Sequence, residues 1–151
     1  MPDTPFQDRT PRLALPLLFA GQSQRETFVN ESFARLDALV HCAVEAQAPN
    51  PPAAPADGQC WLVAPGATGA WTGQDGAIAC FQQGQWLFQP PRDGLRLLNR
   101  ATGQTLCHHQ QWRAADMLAS PVGGATIDTQ ARTAIAALIN ALVVSGVFAN
   151  S

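Results

Sequence analysis

At 151 residues with hydrophobic residues at 46%, the chain is long enough for one real core and too short for two domains of ordinary size. Charged residues make up only 13%, about half the usual share, so neutral groups, glutamine prominent among them, must supply the polar surface. The nine basic residues are all Arg and the formal net charge is −2, which leaves no broad basic field for nucleic acid.

Residues 1–22 contain Pro2, Pro5, Pro11 and Pro16, which remove backbone donors and disfavour helix, so this stretch reads as an extended N-terminal arm. The apolar run Leu13 to Ala20 loosely imitates a secretory signal, but Pro16 interrupts it and Asp3 and Asp8 offset Arg9 and Arg12. A docked arm is the preferred reading, and its removal is expected to spare folding while abolishing assembly.

Ser23-Gln24-Arg25-Glu26 matches a capping box and predicts a long helix over 24–47 within an anchoring segment, 23–47. Val29, Phe33, Leu36, Val40, Ala43 and Gln47 recur at alternating steps of four and three. That is the spacing of a coiled-coil seam, and equally that of a helix packed on its own sheet. The Pro/Ala segment 48–57 cannot continue the helix and reads as a linker.

The pattern then changes to short apolar runs punctuated by Gly, which predicts a β domain over 58–113. Strands are expected at Cys60–Ala64, Ala77–Gln82, Gln85–Gln89, Leu95–Arg100 and Thr105–His109, with a short piece near Trp112. Turns fall at Pro65-Gly66, Gln83-Gly84, Asp93-Gly94 and Thr102-Gly103. The run from Cys80 to Trp86 is echoed from Cys107 to Trp112 with one residue deleted, which suggests two equivalent hairpins, each with an inward Trp. In the last segment, 114–151, a loop precedes a helix capped by Asp128 and stopped by Gly146. Its stripe includes Ile127, Ile135, Leu138 and Leu142, and Arg132 is its only charge. A helix this apolar around its circumference belongs in a subunit interface or a core. With Asn140 in its path and fewer than about 20 apolar residues, it is not expected to insert into a membrane.

The common catalytic signatures are absent: no GxSxG, P-loop, GxGxxG or HExxH occurs. The carboxylates are scattered, and His41 between Val40 and Cys42 reads as a hydrogen-bonded interface residue. Cys42, Cys60, Cys80 and Cys107 form no CxxC pair, and they read as reduced, buried thiols with solvent-facing His108 and His109 beside the last. No enzyme activity, cofactor or metal site is expected. Two roles remain for the aromatics: core filling, or sugar stacking. Trp71, in the longest Gly-rich loop, is the best exposed candidate for glycan contact, with Asp75, Gln82, Gln83 and Gln85 supplying hydrogen bonds.

Three stretches carry a family resemblance: Thr10-Pro-Arg-Leu-Ala-Leu-Pro16, Ala20-Gly-Gln-Ser-Gln24 and Asn30-Glu-Ser-Phe-Ala-Arg-Leu-Asp-Ala-Leu-Val40. Together with Ala64-Pro-Gly-Ala-Thr-Gly-Ala-Trp71, Ala77-Ile-Ala79, Trp86-Leu-Phe-Gln-Pro90 and Asp93-Gly94, the chain resembles the DUF2793 family over roughly residues 10–100. Members occur in tailed phages and in phage-derived gene transfer agents. The resemblance implies a virion structural protein, assembled in the bacterial cytoplasm: a subunit of a head spike or tail fibre that serves host-surface attachment. It implies a base or connector, most often trimeric, with itself and other virion proteins as partners, and host surface polysaccharide as a further one. Val29, Phe33, Leu36, Val40, Ile135, Leu138 and Leu142 are the expected oligomer interface. The expected fold is α+β: extended arm, long helix, antiparallel β-meander or small barrel, and C-terminal helix.

Overall fold

The computed structural model describes residues 9–21, 25–123 and 128–149; Ser23 of the expected capping box and Ile127 of the expected stripe lie outside them. The chain is α+β and divides into two compact units, Met1–Pro91 and Arg92–Ser151. The division falls inside the stretch expected to be one β domain, and the strands belong to two sheets rather than one meander or barrel.

In the first unit the helix α1 spans Arg25–Leu39. It is shorter than the expected 24–47, because the backbone turns at His41 (φ 49°) and the following residues are drawn into two short strands, β1 (Ala43–Val44) and β2 (Gln47–Ala48). Pro49 then bars helix from the C-terminal side. The sheet continues with β3 (Cys60–Val63), β4 (Ile78–Gln82) and β5 (Gln85–Gln89) in the order β2-β3-β4-β5. β2 runs parallel to β3, so the Pro/Ala segment is a crossover inside the sheet rather than a spacer between helix and sheet. Gln83 and Gly84, both at positive φ (50° and 77°), make the tight β4–β5 turn, as expected of a two-residue hairpin loop.

Both faces of this sheet are covered, which explains why β3 is buried at all four positions. One face carries Trp61, Val63, Trp71 and Ala79, packed with Trp86 and Phe88. Trp71 meets Trp86 edge to face at 5.1 Å and Trp61 at 6.3 Å. On the other face Ile78, Cys80 and Leu87 lie against Ala34 and Ala38 of α1. The helix thus buries Ala34, Asp37 and Ala38, a narrow small-residue stripe that lets it approach the sheet closely. Of the expected seam, Val29 and Phe33 are half-buried, while Leu36 and Val40 are 49% and 41% exposed.

Residues 9–21 are not an extended arm. They fold back in a turn, with Thr10 N donating to the Leu15 carbonyl (2.9 Å) and Arg9 bridged to Pro16. This turn is fastened to α1. Asp37 accepts from the Thr10 hydroxyl (2.7 Å), Arg12 N (3.0 Å) and Leu13 N (2.7 Å). Arg12 donates to the carbonyls of Asp37, Ala38 and His41 at 2.9–3.0 Å, supplying a cation and donors to the helix C-terminus. Asn30 and the Leu18 backbone exchange two further bonds. Gly58 presses on the same turn, since a Cβ there would lie 2.8 Å from Pro11 Cγ.

In the second unit β6 (Arg96–Asn99), β7 (Gln104–His109) and β8 (Gln111–Arg113) pair antiparallel. The helix α2 follows at Thr129–Val144. Asp128 accepts from Ala131 N (2.9 Å), as an N-cap should. At the other end Gly146 (φ 72°) and Val147 donate to the carbonyls of Val143 and Leu142, the pairing of a Schellman stop. The sequence echo is real in geometry: Phe81 pairs with Trp86, and His108 with Trp112, each ring pair near 5 Å.

Candidate functional site: a glutamine-lined cleft and an apolar helix

The residues expected to contact glycan separate into two groups. Trp71 is fully buried in the core of the first unit, so the expectation that it is exposed fails: the short turn Gly69–Trp71 tucks the indole inward among the other tryptophans. Asp75 holds the same loop from outside, accepting from Gly66 N (2.9 Å) and Ala67 N (3.0 Å). These two donors hold its carboxyl below the usual carboxylate range.

Gln82, Gln83 and Gln85 come together instead at a cleft of about 420 Å³. The β4–β5 hairpin provides these three amides and Leu87. α1 provides Glu26, Thr27, Asn30, Glu31 and Ala34, and the N-terminal turn provides Leu17, Leu18 and Ala20. The walls offer amide donors and acceptors and two carboxylates over an apolar floor, which suits a hydroxyl-rich or amide-bearing ligand. Glu31 is also paired with Arg35 (2.7 Å), whose guanidinium reaches the Phe88 carbonyl at 3.1 Å and fixes helix to strand. The contributions of α1 and of Leu17 and Leu18 were not foreseen. No sequence pattern marks them: the bonds that place Asn30 against Leu18 join positions 12 residues apart and come only with the fold.

His108 is buried, contrary to the solvent-facing expectation, because β7 alternates with its even-numbered residues inward. Its Nδ1 lies 2.9 Å from Asp93 Oδ1. Asp93 also accepts from Gln110 N (2.7 Å), and chiefly this donor holds its carboxyl below the usual range. Cys107 is only half-buried, whereas Cys42, Cys60 and Cys80 are buried; all four are free thiols. His41 is exposed, and its carbonyl accepts from Arg12. Among the described residues no group of three or more His, Cys, Asp or Glu is placed to hold a metal ion.

α2 is the second candidate. None of its sixteen residues is buried. Ile135 and Leu138 are 41% and 60% exposed, and Leu142 is half-buried. What fastens it is the segment just beyond: Gly146 accepts from Thr105 N (2.7 Å), Gln104 Nε2 donates to the Val147 carbonyl (3.0 Å), and Phe148 is buried. Among the described residues no helix is long and apolar enough to cross a membrane.

A family model described as a protein of unknown function, DUF2793, matches residues 29–113. It begins later than the resemblance over residues 10–100 suggested and runs through β8; α2 lies beyond it. No curated protein matches the chain. With more than half of its length covered by that one model, the chain belongs to the DUF2793 family.

Proposed function

We propose that the protein is a non-catalytic structural subunit of a phage-like particle: the base or connector of a head spike or tail fibre serving host-surface attachment. In this reading it works within the virion beside other virion proteins. α2 supports the reading most directly. A sixteen-residue helix with one charged side chain and no buried one leaves Ile135, Leu138 and Val144 in water, and such a surface is relieved by association. Three copies joined through α2, with Leu36 and Val40 of α1 as a second apolar strip, form a symmetric trimer of the kind fibres use. Replacing Ile135 and Leu138 together by Glu tests this. The double variant should keep its helix content and sediment as a monomer; an unchanged oligomer would remove α2 from the interface.

A second reading rests on the cleft. Gln82, Gln83 and Gln85 converge there with Asn30 and Thr27, and this, not Trp71, is where a host polysaccharide would be held. Gln83→Ala with Gln85→Ala should lower retention on capsular polysaccharide without altering the melting temperature. Unchanged retention would discard the reading.

A further inference from the structure

Cys60 and Cys80 face each other directly across the β3–β4 ladder. The hydrogen bonds on either side fix the kind of pair they form. Phe81 N donates to the Gln59 carbonyl (2.9 Å) and Val63 N to the Ala77 carbonyl (2.9 Å), so the bonded positions are 59 with 81, 61 with 79 and 63 with 77. Cys60 and Cys80 therefore occupy a non-hydrogen-bonded position, the closer of the two kinds. Leu62 N, two residues along, points the other way, to the Ala46 carbonyl (3.0 Å), as this alternation requires.

At a non-hydrogen-bonded antiparallel position the Cα atoms lie about 4.5 Å apart and the side chains lean together. A disulfide needs about 4.4–6.8 Å between Cα atoms. A pair at a position of this kind falls within that window, and both thiols are free. Cys42, the third thiol of this region, lies in the turn after α1 and has no such register with either. We propose that Cys60 and Cys80 are a dithiol–disulfide modification site, which cross-links β3 to β4 when the protein meets a disulfide oxidant.

The chemistry balances with a small-molecule disulfide as the oxidant. The Cys80 thiolate attacks one sulfur of the oxidant, breaking its S–S bond and releasing one thiolate, which takes up the proton that Cys80 lost. The Cys60 thiolate then attacks the Cys80 sulfur of the mixed disulfide, forming the Cys60–Cys80 bond and expelling the second small thiolate, which takes the proton from Cys60. Two protein thiols are oxidised, and one disulfide is reduced to two small thiols. Cys80 is suited to the first step, because the neighbouring Cys60 thiol favours its thiolate, while the Cys60 thiol is itself pushed up.

Access sets the rate. Cys60 and Cys80 are 1% and 3% exposed, so an oxidant reaches them only when α1 lifts from the sheet or before the chain has folded. In a reducing cytoplasm the pair stays open, and outside it the link closes. The closed loop contains Trp71, so the link would hold the tryptophan core together.

The test is to refold the full-length chain from urea in oxidised glutathione, with iodoacetamide quenching and peptide mapping by mass spectrometry. A parallel sample of native protein is followed over time. The refolded chain should lose two thiols and give one Cys60–Cys80 linked peptide, and its urea midpoint should rise above that of the reduced chain. Native protein should acquire the same link more slowly. Cys42→Ser should keep the link and Cys80→Ser should lose it, but the mapping uses the unaltered chain and does not depend on a variant folding. Four free thiols after oxidative refolding, or a principal link involving Cys42 or Cys107, would overturn the proposal.

Discussion

The Thr10 hydroxyl donates to Asp37 Oδ1 at 2.7 Å, and both residues are buried. One carboxylate thereby holds three donors of the N-terminal turn, while Arg12 from that turn closes the end of the same helix. The turn is a structural part of the first unit. Asp37→Ala removes the acceptor and strands the donors, which should cost about 3 kcal/mol. Urea denaturation checks this. Deleting residues 1–21 should destabilise the chain at least as much, the opposite of the expectation that the segment is dispensable for folding; a deletion with an unchanged midpoint would show that the turn contributes nothing.

Gly58 has φ +85°, and a Cβ there would meet Pro11 Cγ at 2.8 Å. Gly58→Ala adds strain and pushes the turn off the sheet, at a cost of about 1–3 kcal/mol. Thermal melting of the variant is the check. Gly84, where a Cβ meets nothing within 4 Å, isolates the effect of positive φ alone, so Gly84→Ala should cost less.

Trp71→Ala empties the centre of the tryptophan cluster. It should lose about 3–5 kcal/mol, together with the near-ultraviolet circular dichroism that packed indoles produce. A loss below about 0.5 kcal/mol, the range of exposed substitutions, would return Trp71 to the surface.

Asp93 and Asp75 are both held below the ordinary aspartate value of 3.8. A depressed folded value means that the charged form is favoured by folding, so the contribution is present above 3.8 and is lost as pH falls through the lower folded value. Acid titration of stability should therefore show a decline below pH about 4 that is reduced in Asp93→Asn. An identical acid limb in the variant would mean that the Gln110 and His108 contacts do not bear on stability.

Strand positions were legible because each run ended in residues that need positive φ or a turn: Gln83-Gly84, Asp93-Gly94 and Thr102-Gly103. The cap and stop of α2 were legible for the same local reason. The end of α1 was not, because Ala43, Val44 and Gln47 fit a helical seam as well as they fit strands, and only pairing with strands distant in sequence decides, as where Gln47 pairs beside β3. Trp71 was misjudged because a Gly-rich loop looks exposed in sequence, whereas the turn at Gly69 carries the ring inward. The cleft was half legible: the glutamines were named, but the helix and turn facing them come from distant sequence. The opposition of Cys60 and Cys80 depends on register, which neither strand specifies alone.

If α2 and the exposed strip of α1 are covered by copies of the same chain, as proposed, the purified protein is an oligomer. Light scattering of the purified protein across a dilution series tests it most directly. The expected result is a concentration-independent mass of three chains, falling to one chain when Ile135 and Leu138 are replaced by Glu. A stable monomer at every concentration would contradict it.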